Sequence, residues 1–110
     1  MISIQRLTAI RDALTPLTAN VYHYWRPKLD APFILWQEIG EGAELSADNH
    51  KAEFAFSGTV DLYTKTEYDP LFDEIQEALN GVDGLGWMFS ESQYEDETGL
   101  IHHSWDWKLL

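Results

Sequence analysis

The sequence contains no cysteine, which excludes disulfide staples, thiolate nucleophiles and cysteine-ligated zinc or iron–sulfur centres, and suits a reducing cytoplasm or a virion. Basic residues are scarce: seven Lys and Arg stand against nineteen Asp and Glu, a formal charge of −12. A field of that sign repels phosphates, which argues against binding DNA or RNA by charge neutralisation. The same field favours solubility, draws basic partners and, along the wall of a passage, keeps DNA from adhering. No apolar run has the length of a membrane span. The opening MISIQRLTAIRDAL, with Asp12 inside it, lacks the basic head and continuous apolar stretch of a signal peptide and reads as folded chain.

Catalytic signatures are missing as well. No serine sits in a GxSxG elbow. Gly81, Gly84 and Gly86 lack the Lys-Ser/Thr ending of a phosphate loop and precede a strand pattern rather than a helix, so they read as turn residues. Among the histidines, His102 and His103 are adjacent on a strand and must point to opposite faces, while His23 and His50 add no ligand spacing. No metal and no cofactor is therefore expected. Asp73, Glu74 and Glu77 lie close on one helix, but the only nearby base is Lys65, and such a run reads as a solvated face. The chain is expected not to be an enzyme.

What the chain does hold is apolar and aromatic matter: five Trp, five Tyr and five Phe in 110 residues. That length suits one domain, residues 1–110, able to fold without staples. Ser3 is placed to cap a helix in which Ile4, Leu7, Ile10, Leu14 and Leu17 recur at helical spacing, ending near Thr15 and Pro16. NVYHYW, from Asn20 to Trp25, reads as a first strand, and the segment from Arg26 to Pro32, with two prolines, breaks it. FILWQE, from Phe33 to Glu38, reads as a second strand paired with the first across that turn.

The stretch from Ile39 to Ala52 has two glycines, several acids and no period, and is expected to be a long loop. It reads either as a plain surface excursion or as an assembly segment, with Glu41, Glu44 and Asp48 meeting basic groups or lining a passage, Leu45 anchored in a neighbour's pocket, and Asn49 and His50 beside them. EFAFSGTVDLY then alternates strictly, with Phe54, Phe56, Gly58, Val60 and Leu62 on one face and Glu53, Ser57, Thr59 and Asp61 on the other. Asp69 and Pro70 open a second helix whose stripe is Leu71, Phe72, Ile75 and Leu79 and whose end is Gly81. Trp87 to Glu95 and Leu100 to Leu109 form a hairpin around Asp96-Glu97-Thr98-Gly99, with Ile101, His103, Trp105, Trp107 and Leu109 sharing a face. The expected fold class is α+β: an antiparallel-rich sheet of about five strands with two helices packed on one face, in the order α-β-β-β-α-β-β.

The run ADNHKAEFAFSGTVDLYTKTEYDPLFDEIQEALN, followed by YEDETGLIHHSWDW, resembles small proteins encoded among the head and tail genes of long-tailed bacteriophages, and the element order is similar to the tail-terminator, or tail-completion, family. The resemblance implies a virion structural protein, assembled in the host cytoplasm and located at the junction of tail and neck. It implies a homo-oligomer, a hexameric ring on the end of the tail tube, that contacts the tail-tube protein and a neck or head-completion protein while DNA passes through without specific binding. No membrane contact is implied. The alternatives within the class are another head-tail connector, such as a neck or head-closure protein, and a tail-tube subunit. From other classes they are a small acidic inhibitor that mimics DNA and a metal-dependent hydrolase.

Overall fold

Asp69 marks the place where sequence chemistry turns into architecture. In the computed structural model, which describes residues 3–25, 30–41 and 56–110, its Oδ1 accepts the Leu71 backbone N–H at 2.9 Å and its Oδ2 accepts the Thr64 hydroxyl at 2.6 Å. One carboxylate thus satisfies an orphan donor at the start of a helix and ties that helix to the strand before it. The helix is α2, Leu71–Asn80, and it buries Leu71, Ile75 and Leu79. At the other end of the described chain, Ser3 accepts the Gln5 N–H and starts a 3-10 turn, Ile4–Leu7, that runs into α1, Thr8–Leu14. Leu7, Ile10 and Leu14 form its buried stripe, whereas Ile4 is exposed and does not belong to it.

Five strands make one mixed sheet in the order β1-β2-β3-β5-β4: β1 Val21–His23, β2 Phe33–Gly40, β3 Phe56–Thr64, β4 Leu85–Glu95 and β5 Leu100–Leu109. The chain is therefore an α+β arrangement of two helices and five strands among the described residues, in the expected element order. The pairings β2·β3, β3·β5 and β4·β5 are antiparallel. β1 and β2 are parallel, which corrects the expectation of a hairpin there. Tyr24, at φ 76°, leaves the strand direction directly after His23. The chain then returns so that Ile34 N–H bonds the Asn20 carbonyl at the start of β1 and Tyr24 N–H bonds the Trp36 carbonyl, the slanted pattern of a parallel ladder.

Both helices cover the same face of the sheet. Ile34 and Trp36 of β2, Val60 and Leu62 of β3, and Trp105, Trp107 and Leu109 of β5 point toward the helical stripes and form one cluster with them. The alternation read from β3 and β5 holds from Phe56 onward, where partners such as Val60 and Trp105 lie directly opposite one another, while Glu53 and Phe54 lie outside the described residues. At ~25 cal/mol per Å² of apolar area removed from water, this one-sided cluster is the main source of stability. Gly99, at φ 69°, closes the β4–β5 turn with its N–H on the Glu95 carbonyl at 2.8 Å.

Candidate functional site

The residues singled out from sequence fall mostly outside what is described. Glu41 lies exposed just past the end of β2, while Glu44, Leu45, Asp48, Asn49 and His50 lie outside the described residues. Ile39 and Gly40, the first two residues of the expected loop, belong instead to β2. A register shift between Glu38 and Gly40 passes over Ile39, and Gly40 then pairs with Ser57 of β3.

Three side-chain clusters were not foreseen. On the face away from the helices, His102 Nε2 lies 2.8 Å from Asp61 Oδ1, and the Thr59 hydroxyl lies 3.3 Å from Asp61 Oδ2. Asp61 is only 8 % exposed, so its charge requires these partners. The His102 ring stacks on Tyr63 with centroids 4.2 Å apart, and Tyr63 stacks on Phe33 at 4.7 Å. This ladder crosses β5, β3 and β2. Finding it from sequence would have required the β3–β5 register, in which residues some forty positions apart become neighbours.

At the β1 side, His23 Nε2 lies 2.7 Å from Glu38 Oε1, the Tyr24 hydroxyl donates to Glu38 Oε2, and the His23 ring stacks on Trp36 at 3.9 Å. Burial pushes the Glu38 carboxyl up, but the hydrogen bonds from Tyr24 and His23 outweigh it and hold the group below its ordinary value. Donating to that carboxylate raises the Tyr24 phenol pKa in return.

On the helix face, Ser92 Oγ lies 2.6 Å from His103 Nδ1. His103 also sits edge-on to Phe72, with centroids 4.9 Å apart. Burial first, and then the neighbouring His102, lower the His103 pKa, with Asp69 working against both. A hydroxyl beside an imidazole invites comparison with a nucleophile and its base. A working triad also needs an acid on the second ring nitrogen and donors for an oxyanion. Among the described residues no acid bonds that nitrogen, and the nearby Asp69 has both oxygens engaged by Thr64 and Leu71. Through these contacts the β4–β5 hairpin is tied to α2 at Phe72.

His102 and His103 point to opposite faces, and among the described residues no three His, Asp or Glu side chains converge as metal ligands would. Asp73, Glu74 and Glu77 stand exposed on α2. No helix among the described residues is long and apolar enough to cross a membrane.

Several exposed apolar side chains gather along the sheet margins. Met88 and Tyr94, 65 % and 64 % exposed, lie along β4, and Phe89 is partly exposed beside them. Trp25, 73 % exposed, and Tyr24 lie just beyond β1. Among the described residues β4 and β1 are the two lateral strands of the sheet. An open groove of about 510 Å³ crosses the sheet end where β2, β3, β5 and β4 meet, with Ile39, Gly58, Gly86, Met88 and Lys108 among its walls. A second hollow, about 390 Å³, lies where α2 begins, between Tyr68, Phe72 and His103. The arrangement offers contact area at the sheet margins and at one sheet end. No protein-family model matches this chain, and a search among curated proteins finds no match.

Proposed function

We propose that this chain is a virion structural protein of a long-tailed bacteriophage: a tail terminator that forms a hexameric ring on the end of the tail tube and joins it to the neck. The observation that carries the reading is that five of the nine large apolar side chains exposed among the described residues lie at the lateral margins of the sheet. Met88, Phe89 and Tyr94 stand along one edge strand of the sheet, and Tyr24 and Trp25 stand just beyond the other. Large aromatic residues left in water at sheet edges are what a subunit with neighbours on both sides requires. The tail-terminator resemblance of the sequence supports the same reading, as does the acidic surface, which lets DNA pass a lumen without sticking. In this role the segment from Glu41 to His50 serves as a further contact between subunits or with the tail-tube and neck proteins. The protein performs no catalysis and takes no cofactor, and it resides in the virion after assembly in the host cytoplasm.

The test is negative-stain electron microscopy and light scattering of the purified protein, with complementation of a phage lacking the gene. Six-membered rings and restored joining of heads to tails of uniform length are the expected results. A protein that stays monomeric at every concentration, or that cleaves DNA in the presence of magnesium or manganese in a manner abolished by Asp73→Asn, overturns the proposal.

A further inference from the structure

We propose that the hollow at the start of α2 holds the guanidinium of an arginine presented by a partner protein. Such a contact needs no ring and goes beyond the assembly proposed above. The hollow, about 390 Å³, is lined by Tyr68, Phe72, Ile101 and His103 and by the acids Glu67 and Asp73. Its aromatic wall is held from behind. Phe72 lies edge-on to His103 at 4.9 Å and to Phe89 at 5.3 Å and packs on Trp105 at 5.0 Å, while Ser92 Oγ holds His103 Nδ1 at 2.6 Å. Tyr68 is different: it is 92 % exposed, the most of any large apolar side chain among the described residues, and it lies between β3 and α2, at neither sheet margin. A phenol ring left in water beside a hollow offers its face, and an aromatic face attracts cations.

Charge decides what enters. Glu67 and Asp73 are exposed, and neither is in an ion pair among the described residues. Asp69, also on the lining, has both oxygens engaged by Thr64 and Leu71, so it adds negative potential but no free oxygen. A helix N-terminus carries roughly half a positive charge and by itself draws anions, but Asp69, Asp73 and Glu74 stand at the start of α2 and outweigh it. The His103 ring does not oppose a cation at neutral pH, because burial and the neighbouring His102 hold its pKa below the ordinary value. Aromatic walls beside carboxylates suit a planar guanidinium, which stacks on rings and forks to carboxylate oxygens, better than a compact ammonium. The base comes from another protein rather than a second copy. The chain has a net charge of −12 and only seven Lys and Arg, of which Arg6 already bonds the Leu110 and Asp83 carbonyls and Arg11 bonds Asp12.

Nuclear magnetic resonance titration of the isotope-labelled full chain tests the idea. The probes are short acetylated peptides of glycine and serine that carry arginine, its uncharged isostere citrulline, or glutamate at the centre. The arginine peptide should shift the amides of Tyr68, Phe72 and His103 saturably, and the citrulline peptide, which keeps the shape and loses the charge, should bind about 10-fold more weakly. Tyr68→Ala should weaken arginine binding about 2- to 5-fold, and Tyr68→Phe, which keeps the ring face, should leave it unchanged. Glu67→Gln with Asp73→Asn should weaken it to a similar degree and remove most of its salt dependence. All three positions are exposed, and circular dichroism checks that each variant is folded. Equal binding of the arginine and citrulline peptides, or no shift at these residues at about 10 mM peptide, overturns the proposal. So does preferential binding of the glutamate peptide, which would mean that the helix N-terminus prevails. If dilution of the protein alone moves the same amides and Tyr68→Ala abolishes that change, the occupant is a second copy and the proposal fails. None of these outcomes decides the ring reading, which stands or falls on microscopy and light scattering.

Discussion

Gly58 occupies the centre of the sheet at a place where no side chain fits, and Gly58→Ala measures that constraint. It lies on the helix-facing side of β3, opposite Glu38 of β2 and Trp107 of β5. A Cβ built on it would collide with the Gln37 carbonyl oxygen and the Trp107 ring, and would lie 2.8 Å from Glu38 Cα. Two of these obstacles are backbone in a paired strand and cannot rotate away. The third is an indole only 1 % exposed, which can move only by leaving the core. Replacing a strand glycine by alanine would otherwise gain about 0.5–1 kcal/mol from reduced chain entropy. Overpacking costs about 1–3 kcal/mol and occasionally more, and a clash against fixed backbone belongs at the upper end. The net expectation is a loss of ~2–3 kcal/mol, a large share of the ~5–15 kcal/mol typical of a domain. Gly86→Ala is the control within the same sheet, because nothing lies within 4 Å of its Cβ position; it should be neutral or slightly stabilising. Urea denaturation followed by tryptophan fluorescence gives both values. A Gly58→Ala loss under ~1 kcal/mol, or equal effects at the two glycines, would refute the assigned packing of Trp107 over Gly58.

Two of the buried tryptophans, Trp105 and Trp107, should separate on replacement by phenylalanine. Trp105 Nε1 donates to Gln76 Oε1 at 3.1 Å, whereas the buried Trp107 Nε1 has no partner, so Trp107→Phe should cost less than Trp105→Phe, while Trp107→Ala should cost about 3–5 kcal/mol; denaturation midpoints of the three variants check the order. His102→Ala leaves the Asp61 carboxylate without its ring partner and should destabilise by about 1–3 kcal/mol, and a double-mutant cycle with Asp61→Ala should return a favourable coupling; simple additivity would contradict the pairing. His103 is held below its ordinary value of 6.5, so the unfolded chain takes up the proton first and stability should fall as pH drops below 6.5 toward the lower folded value; His103→Gln should flatten that part of the stability profile, and an unchanged slope would count against it. Glu38 is held below 4.5, so its contribution is present above that value and is lost on acidification through the lower folded value, a limb that Glu38→Gln should remove in an acid titration of stability.

Much of the fold was legible because its signals are local. Asp69 and Pro70 start α2 through the geometry of one helical turn, Gly99 closes the β4–β5 turn with its own positive φ, and the two-residue period of β5 set Trp105 and Trp107 on the buried face. Each depends on residues within a few positions of one another. The candidate site was less legible: of the residues picked from sequence only Glu41 falls within the described chain, whereas the exposed aromatics at the sheet edges stand out only once the strand order is known. Periodicity tells which residues share a face, but not whether that face lies on a central strand or an edge. The tertiary structure decided what depends on register and on the path between strands. It made β1 parallel to β2, extended β2 through Ile39 and Gly40, and left Ile4 in water. It also buried Asp61, an acid that alternation alone would send to solvent, by bringing His102 beside it across the β3–β5 seam. Propensity and period act along the chain, while pairing partners, buried charges and close backbone approaches such as that at Gly58 arise between segments distant in sequence.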